Sequence, residues 1–236
     1  MTATEKSTDG GIVLDDIPVS LDLAAVLKRL KLRKESERIR EIILELISTV
    51  GSLARPKVLY KVSQANSLNR KAFEIDGVEF ASYVPTLNFE EGEQVFPYVA
   101  TCGTEVDALK IPTSDLMKHF CLSVIKEMVL RSTSKYFEEY LVDHHELTQI
   151  TRIGPGEALG PVAQQQQLFS VLGDVEKSIG VRLSPHNLMV PEKSSSGLFF
   201  ETAIKLESCQ LCPDTKCKGR SAPYDPVVLK KYRTKA

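Results

Sequence analysis

The sequence has no apolar run approaching the roughly 18 residues that cross a bilayer, and its polar start lacks the apolar region of a signal peptide. It also has no excess of either charge, since 30 basic residues stand against 31 acidic ones. With the charges balanced, no basic patch that would bind a phosphate backbone stands out. We therefore expect a cytoplasmic protein that binds neither membranes nor nucleic acid.

Several common catalytic fingerprints are also missing, namely the phosphate-binding glycine loop, the dinucleotide fingerprint after a strand and the nucleophile elbow. The 236 residues, 42% hydrophobic and 26% charged, are enough to bury a core in one large domain or two small ones. The five cysteines of such a chain are more easily explained as thiols or metal ligands than as structural disulfides.

The spacing of apolar residues predicts the fold class. Helical periodicity covers residues 22–32, 35–50, 114–141 and 165–179. Apolar, β-prone runs predict strands at 58–62, 73–75, 78–80, 95–102 and 198–206, and Asp76-Gly77 between two of them is typical of a hairpin. Helices and antiparallel hairpins alternate without a regular βαβ repeat, which favours an α+β fold with a mixed, mainly antiparallel sheet and flanking helices.

Composition divides the chain into three parts. Residues 1–11 are polar without an apolar period, which predicts a mobile tail. Residues 12–207 carry the helices and strands of a single folded domain. Residues 208–236 contain cysteine and proline and are expected to be an irregular tail.

One polar turn has unusual chemistry for its length. Gly154 and Gly156 allow positive φ and a close approach of a ligand to the backbone, while Pro155 stiffens the chain between them. Arg152, just before the turn, could hold a carboxylate through two parallel hydrogen bonds, and Glu157 follows it. On chemistry alone, a surface turn with a solvated arginine is the more economical interpretation.

The turn does not stand alone. Further along lies the run Met189-x-Pro191-x-x-Ser194-x-Ser196-Gly197, preceded by Leu-Phe-x-x-Leu and Ile-Gly-Val-x-Leu segments. These motifs resemble the S-adenosylmethionine-binding activation (reactivation) domain of cobalamin-dependent methionine synthase. The resemblance extends in order to further blocks of the chain: residues 17–62 with Ala54-Arg55-Pro56-Lys57, the segment 100–105, and the helix 116–127.

The resemblance implies a role for particular residues. Arg152 matches the arginine expected to hold the methionine carboxylate, and the backbone of Gly154, Pro155 and Gly156 is expected to lie against the adenosine. Glu157 also belongs to the implied ligand site, at a position where the family usually has tyrosine. The remaining implied contacts, near the ligand and the cobalamin face, are Ser194, Ser196 and Gly197.

The resemblance also implies a function. The chain is expected to be a stand-alone domain that supports reductive methylation of the cobalamin on a separate methionine synthase or other corrinoid protein, with S-adenosylmethionine as methyl donor. It lacks a zinc-thiolate homocysteine site and the cobalamin-binding Asp-x-His-x-x-Gly motif, so it would need that partner and a reductase. Two alternatives remain: a non-catalytic capping module for a corrinoid protein, or an iron–sulfur electron donor.

A cysteine cluster suggests a metal. Cys209-x-x-Cys212 with Cys217 supplies three potential ligands for zinc or an iron–sulfur cluster, and Cys102, His186, a partner residue or an exogenous molecule could supply a fourth. Unliganded thiols and a redox disulfide are the competing interpretations.

Two other polar clusters are assigned no function. The pair His144-His145 is interpreted as a solvated helix end. The glutamine run 164–167 is interpreted as the surface of a helix.

Overall fold

A computed structural model describes residues 3–32, 36–69, 71–82, 89–202, 207–211, 215–216, 220–225 and 227–228. The helices are α1 (Leu23–Leu30), α2 (Glu37–Leu53), α3 (Leu116–His144), α4 (Gln165–Leu172), α5 (Val175–Ile179) and α6 (Ser208–Leu211). The strands are β1 (Thr4–Thr8), β2 (Gly11–Asp15), β3 (Lys57–Tyr60), β4 (Ser63–Asn69), β5 (Ala72–Ile75), β6 (Val78–Ala81), β7 (Glu93–Thr101), β8 (Ile150–Ile153), β9 (Arg182–Leu183), β10 (Met189–Val190) and β11 (Ser194–Glu201).

Within the described ranges, the strands form a branched antiparallel sheet of nine strands, with β7 as its central strand. One edge of β7 pairs with β11, which pairs in turn with β8. Its other edge pairs with β3 near one end and with β4 near the other. The sheet then continues through β2 and β1 on one branch and through β5 and β6 on the second. The mixed α+β architecture with a mainly antiparallel sheet is therefore confirmed.

Strand alternation divides the core between the two faces of this sheet, because successive side chains point to opposite sides. On β7, Val95 and Val99 pack with α4 and α5, whereas Phe96 and Tyr98 pack with the C-terminal half of α3. A third apolar cluster joins α1, α2 and the first half of α3. The turn of residues 154–160 follows β8, and its residues Ala158 and Leu159 pack into the cluster on the α4 and α5 side.

The N-terminus differs from the mobile tail predicted for residues 1–11. Thr4–Thr8 pairs with Gly11–Asp15, and the two-residue loop Asp9-Gly10 closes the hairpin. Every residue of β1 is exposed, so the strand has no apolar alternation to detect in the sequence. The hairpin tip packs against the end of α4, because a Cβ on Gly10 would lie 2.1 Å from the Leu172 carbonyl oxygen.

The helix predicted over residues 165–179 is wrong as a single element. It is two helices, broken at Gly173, whose φ of 75° lies in the left-handed region. Asp174 then caps α5 by accepting a hydrogen bond from the Lys177 N–H. The other predicted helices are confirmed with shifted ends. None of the helices in the described ranges combines the length and apolar character of a membrane span.

Candidate functional site

Arg152 is held on the α3 face of the sheet by two neighbouring strands. It lies opposite Phe199 in the β8–β11 ladder. Its Nε donates to the Tyr98 hydroxyl at 2.6 Å, and its Nη2 donates to the Ser196 carbonyl oxygen at 3.3 Å. Tyr98 belongs to β7 and Ser196 to β11, so the sheet itself fixes the plane of the guanidinium.

The turn supplies a third partner. Arg152 Nη1 donates to Glu157 Oε2 at 3.1 Å, and the two side chains are 34% and 41% exposed. The charge interaction with Tyr98, followed by that with Glu157, raises the pKa of Arg152 above its ordinary value although burial opposes them. Arg152 is therefore a permanent cation at the edge of the site.

Residues 154–160 fold into a compact turn closed by its own backbone. The Gly156 N–H donates to the Gly160 carbonyl oxygen at 2.7 Å, and the Glu157 N–H donates to the Gly154 carbonyl oxygen at 3.0 Å. Gly156 has a φ of 81° and therefore needs its glycine. A Cβ on Gly154 would lie 3.0 Å from Arg152 Nη2, so the turn backbone lies directly against the guanidinium.

The predicted ligand contacts on β11 lie at two positions along the strand. Ser196 is buried and uses its carbonyl oxygen on Arg152. Gly197 lies beside the Tyr98 ring, and a Cβ there would be 2.5 Å from the Ile153 carbonyl oxygen. Ser194 lies farther along the strand and donates its hydroxyl to Thr101. Arg152, Gly154, Glu157, Ser196 and Gly197 thus form one group, which Ser194 does not join.

A hydroxyl farther along β11 was not expected from the sequence. Ser195 has a buried Oγ that finds no hydrogen-bond partner among the described residues. By strand alternation it projects to the same face as Phe199 and hence as Arg152. An unsatisfied buried hydroxyl is costly. The Ser195 hydroxyl therefore keeps its hydrogen-bonding capacity for another partner on this face.

Gln164 also supports the site, contrary to its interpretation as a helix surface residue. It is 4% exposed. Its amide accepts from the Ala81 N–H at 2.5 Å and donates to the Ala81 carbonyl oxygen at 2.9 Å and to that of Leu159. Because Leu159 belongs to the turn, Gln164 ties residues 154–160 to the edge strand β6.

The histidine pair is only partly the solvated helix end that the sequence suggested. His144 is exposed, but the His145 ring packs against Phe96 at a centroid distance of 4.7 Å and near Tyr60 at 6.2 Å. Burial, together with the charge on His144, lowers the pKa of His145. His145 is thus a packing residue of the α3 face.

Of the predicted metal ligands, only Cys209 falls within the described residues; Cys212 and Cys217 lie outside them. Partial burial acts to raise the pKa of the Cys209 thiol, but hydrogen bonds from Ser221 and the Ala222 backbone outweigh it and lower that pKa. The Ser221 N–H lies 3.4 Å from the sulfur. The charge of Glu157 acts on the same thiol in the opposite sense and raises its pKa.

Cys102 does not join this segment. It is fully buried in the helical cluster, and burial raises the pKa of its thiol to about 11. Within the described ranges, no three His, Cys, Asp or Glu side chains are grouped to hold a metal ion.

A separate cleft of about 570 Å³ lies between the N-terminal hairpin and α5. Both positive and negative side chains line it, including Lys6, Lys57, Asp15 and Asp174. Lys6 and Asp15 pair with each other at 3.0 Å. This balance gives the cleft no single charge preference, and none of its lining residues belongs to the Arg152 group.

Comparison with known proteins gives a likeness of fold. No protein-family model matches the chain, and no curated protein matches it. Among solved structures it is similar to the MetH reactivation domain bound to AdoHcy, with a TM-score of 0.54 and 15% sequence identity. The match covers 80% of this chain and 78% of that one. The resemblance indicated by the sequence motifs is thus confirmed in three dimensions: the chain shares the fold of the methionine synthase reactivation domain.

Proposed function

We propose that this protein binds an S-adenosyl ligand at the Arg152 turn and supports reactivation of a cobalamin carried by a separate corrinoid protein. The observation that carries the proposal is the shared fold with a reactivation domain that binds AdoHcy, over 80% of the chain. Support comes also from Arg152, Gly154, Glu157, Ser196 and Gly197, which lie together where β8, β11 and the turn converge, whereas Ser194 lies farther along β11.

The chemistry of the residues fits the amino acid part of such a ligand. A guanidinium pairs well with a carboxylate because its N–H groups form a planar fork. Arg152 is about one-third exposed, so a solute can reach it without unfolding the sheet. The orphaned Ser195 hydroxyl adds a second polar group on the same face.

In this proposal the protein works by positioning. Arg152 holds the ligand carboxylate, Gly154 and Gly156 let the turn backbone lie close to the adenosine, and Gly197 lets β11 pack closely against Ile153 and the Tyr98 ring. S-adenosylmethionine would supply the methyl group for the reduced cobalt on the partner. The residues of this chain lower the barrier by orientation and by excluding water from the joined surfaces.

A reconstituted assay tests the proposal. Purified protein is mixed with a corrinoid partner in the cob(II)alamin form, S-adenosylmethionine and a reductant, and methylcobalamin is followed by its visible spectrum. We expect methylcobalamin to accumulate with the wild type and much more slowly with Arg152→Ala, while Arg182→Ala, an exposed arginine on β9, acts as the matched control. No methylcobalamin with a partner that the protein binds in solution would contradict the proposal.

A capping module is the second candidate, and the Arg152–Glu157 ion pair favours it because Arg152 already has a carboxylate. In that case the protein would shield a corrinoid partner without using an S-adenosyl ligand. Complex formation with the partner, combined with no calorimetric response to AdoHcy, would select the capping module over reactivation.

The cysteine segment remains a proposal of its own. Cys209, Cys212 and Cys217 would hold zinc or an iron–sulfur cluster, and a cluster could deliver the electron that reactivation needs. Metal analysis and visible absorbance of anaerobically purified protein decide the matter. Colourless, metal-free protein with reactive thiols in this segment would rule the site out.

A further inference from the structure

We propose that Glu157 is an internal competitor for the ligand carboxylate, so that it sets the ligand preference of the Arg152 site. The inference rests on the proposed function, because it concerns the ligand held at the same arginine. It assigns Glu157 a role opposite to that of a ligand-binding contact.

The contacts of Arg152 with Tyr98, Ser196 and Glu157 differ in how firmly they are fixed. Tyr98 belongs to the central strand β7, and its ring packs against Phe137 and Phe199 with centroids 5.3 and 5.1 Å away. The Ser196 carbonyl oxygen is part of β11. Both contacts are built into the sheet, so they stay in place when a ligand arrives.

Glu157, in contrast, reaches Arg152 from the turn. Its side chain is 41% exposed, and its backbone is held independently by the Gly154 carbonyl oxygen at 3.0 Å. A rotation of the carboxylate into solvent therefore leaves both the turn and the sheet intact. Glu157 is the partner that can exchange.

The strength of the ion pair is suited to exchange. Pairs between partly exposed side chains contribute little net free energy because water and salt screen them. A carboxylate ligand can therefore displace Glu157, but it must give up part of its binding free energy to do so. While Glu157 stays near, its negative charge also repels the incoming carboxylate.

The competition from Glu157 depends on whether the ligand has a carboxylate. A ligand with a free carboxylate, such as AdoHcy, meets this competition, whereas 5′-methylthioadenosine has the same nucleoside and no carboxylate. Glu157 should therefore weaken the binding of AdoHcy and leave that of 5′-methylthioadenosine nearly unchanged. If Glu157 instead held the α-ammonium group of the ligand, its removal would weaken AdoHcy binding.

Calorimetric titration of both nucleosides into the wild type and Glu157→Gln tests the inference. We expect the substitution to tighten AdoHcy about two- to fivefold, the range that corresponds to a partly exposed ion pair. The affinity for 5′-methylthioadenosine should change by less than about twofold. Glu139→Gln is the matched control, because Glu139 forms an exposed pair with Lys135 on α3.

The outcomes separate the two proposals. If both nucleosides bind and Glu157→Gln leaves AdoHcy unchanged, weakens it, or tightens both ligands alike, the competition is refuted while the ligand site stands. If neither nucleoside binds to the wild type or to Glu157→Gln, the S-adenosyl site and the competition are refuted together. Urea unfolding of each variant checks that the substitutions leave the fold unchanged.

Discussion

At the scale of single residues, the site depends on side chains that come from distant parts of the chain. Gln164 is the clearest case, because one buried amide joins β6 to the carbonyl oxygen of Leu159 in the turn. The turn that carries Glu157 is therefore anchored by a side chain outside the motif that resembles the methionine synthase family.

We expect Gln164→Ala to reduce the free energy of unfolding by about 2 kcal/mol, because it removes the hydrogen bonds of a buried amide and leaves the buried Leu159 carbonyl oxygen without this partner. It should also weaken nucleoside binding by loosening the turn. Gln166→Ala is the control, since Gln166 is exposed on α4, two residues after Gln164, and bonds Asn187. Equal urea midpoints for the two variants would contradict this role of Gln164.

Local sequence patterns pointed to part of the candidate site and missed the rest for a physical reason. Arg152 and the glycines of the turn were identified because their chemistry is local and their order resembles a known family. Tyr98 and Gln164 act on partners 54 and 83 positions away, so no local pattern marks them. Ser194 was expected at the ligand, but it bonds Thr101 farther along the strand.

At the scale of elements, two-residue turns decide where the sheet branches end. Asp76-Gly77 closes the β5–β6 hairpin with φ angles of 49° and 80°, as the sequence predicted. The Asp76 carboxylate also accepts hydrogen bonds from Ser63 at 3.0 Å and pairs with Lys61 at 2.7 Å. This side chain therefore fastens the hairpin to the start of β4.

The Asp76 contacts predict a pH dependence of stability. Burial acts to raise the pKa of this carboxyl, but hydrogen bonds from Lys61 and Ser63 outweigh it, so the pKa in the folded protein is lowered. The stabilisation is therefore complete above the unfolded pKa, near 4, and is lost as the pH falls towards the folded value.

We expect Asp76→Asn to cost about 0.5–1 kcal/mol of unfolding free energy at pH 7 and almost nothing near pH 2.5, since asparagine keeps the left-handed turn. Urea unfolding at both pH values measures the difference. A cost that is the same at both would show that the charge of Asp76 contributes nothing.

An Asp-Gly pair closes a hairpin in two places, and only one of the two hairpins was predicted. Asp9-Gly10 closes the N-terminal hairpin as Asp76-Gly77 closes the other, yet β1 is polar throughout and gives no apolar alternation. The break between α4 and α5 likewise has a local cause in Gly173 and Asp174, which the continuous apolar period across residues 165–179 concealed.

At the scale of the whole molecule, the class and architecture followed from the alternation of helices and hairpins together with the ordered motifs. The branching of the sheet at β7 did not, because strand pairing joins segments far apart in the sequence. On the opposite edge of β7, the pairing of β11 with both β7 and β8 brings Tyr98, Ser196 and Arg152 together at the candidate arginine site.

The central claim is that this site binds an S-adenosyl ligand through Arg152, and calorimetric titration of AdoHcy tests it most directly. We expect saturable one-site binding by the wild type and by the control Arg182→Ala. Arg152→Ala should bind at least about tenfold more weakly, as expected when a charged hydrogen-bond partner is lost. Absence of binding by the folded wild type, or equal affinity in Arg152→Ala, would contradict the account.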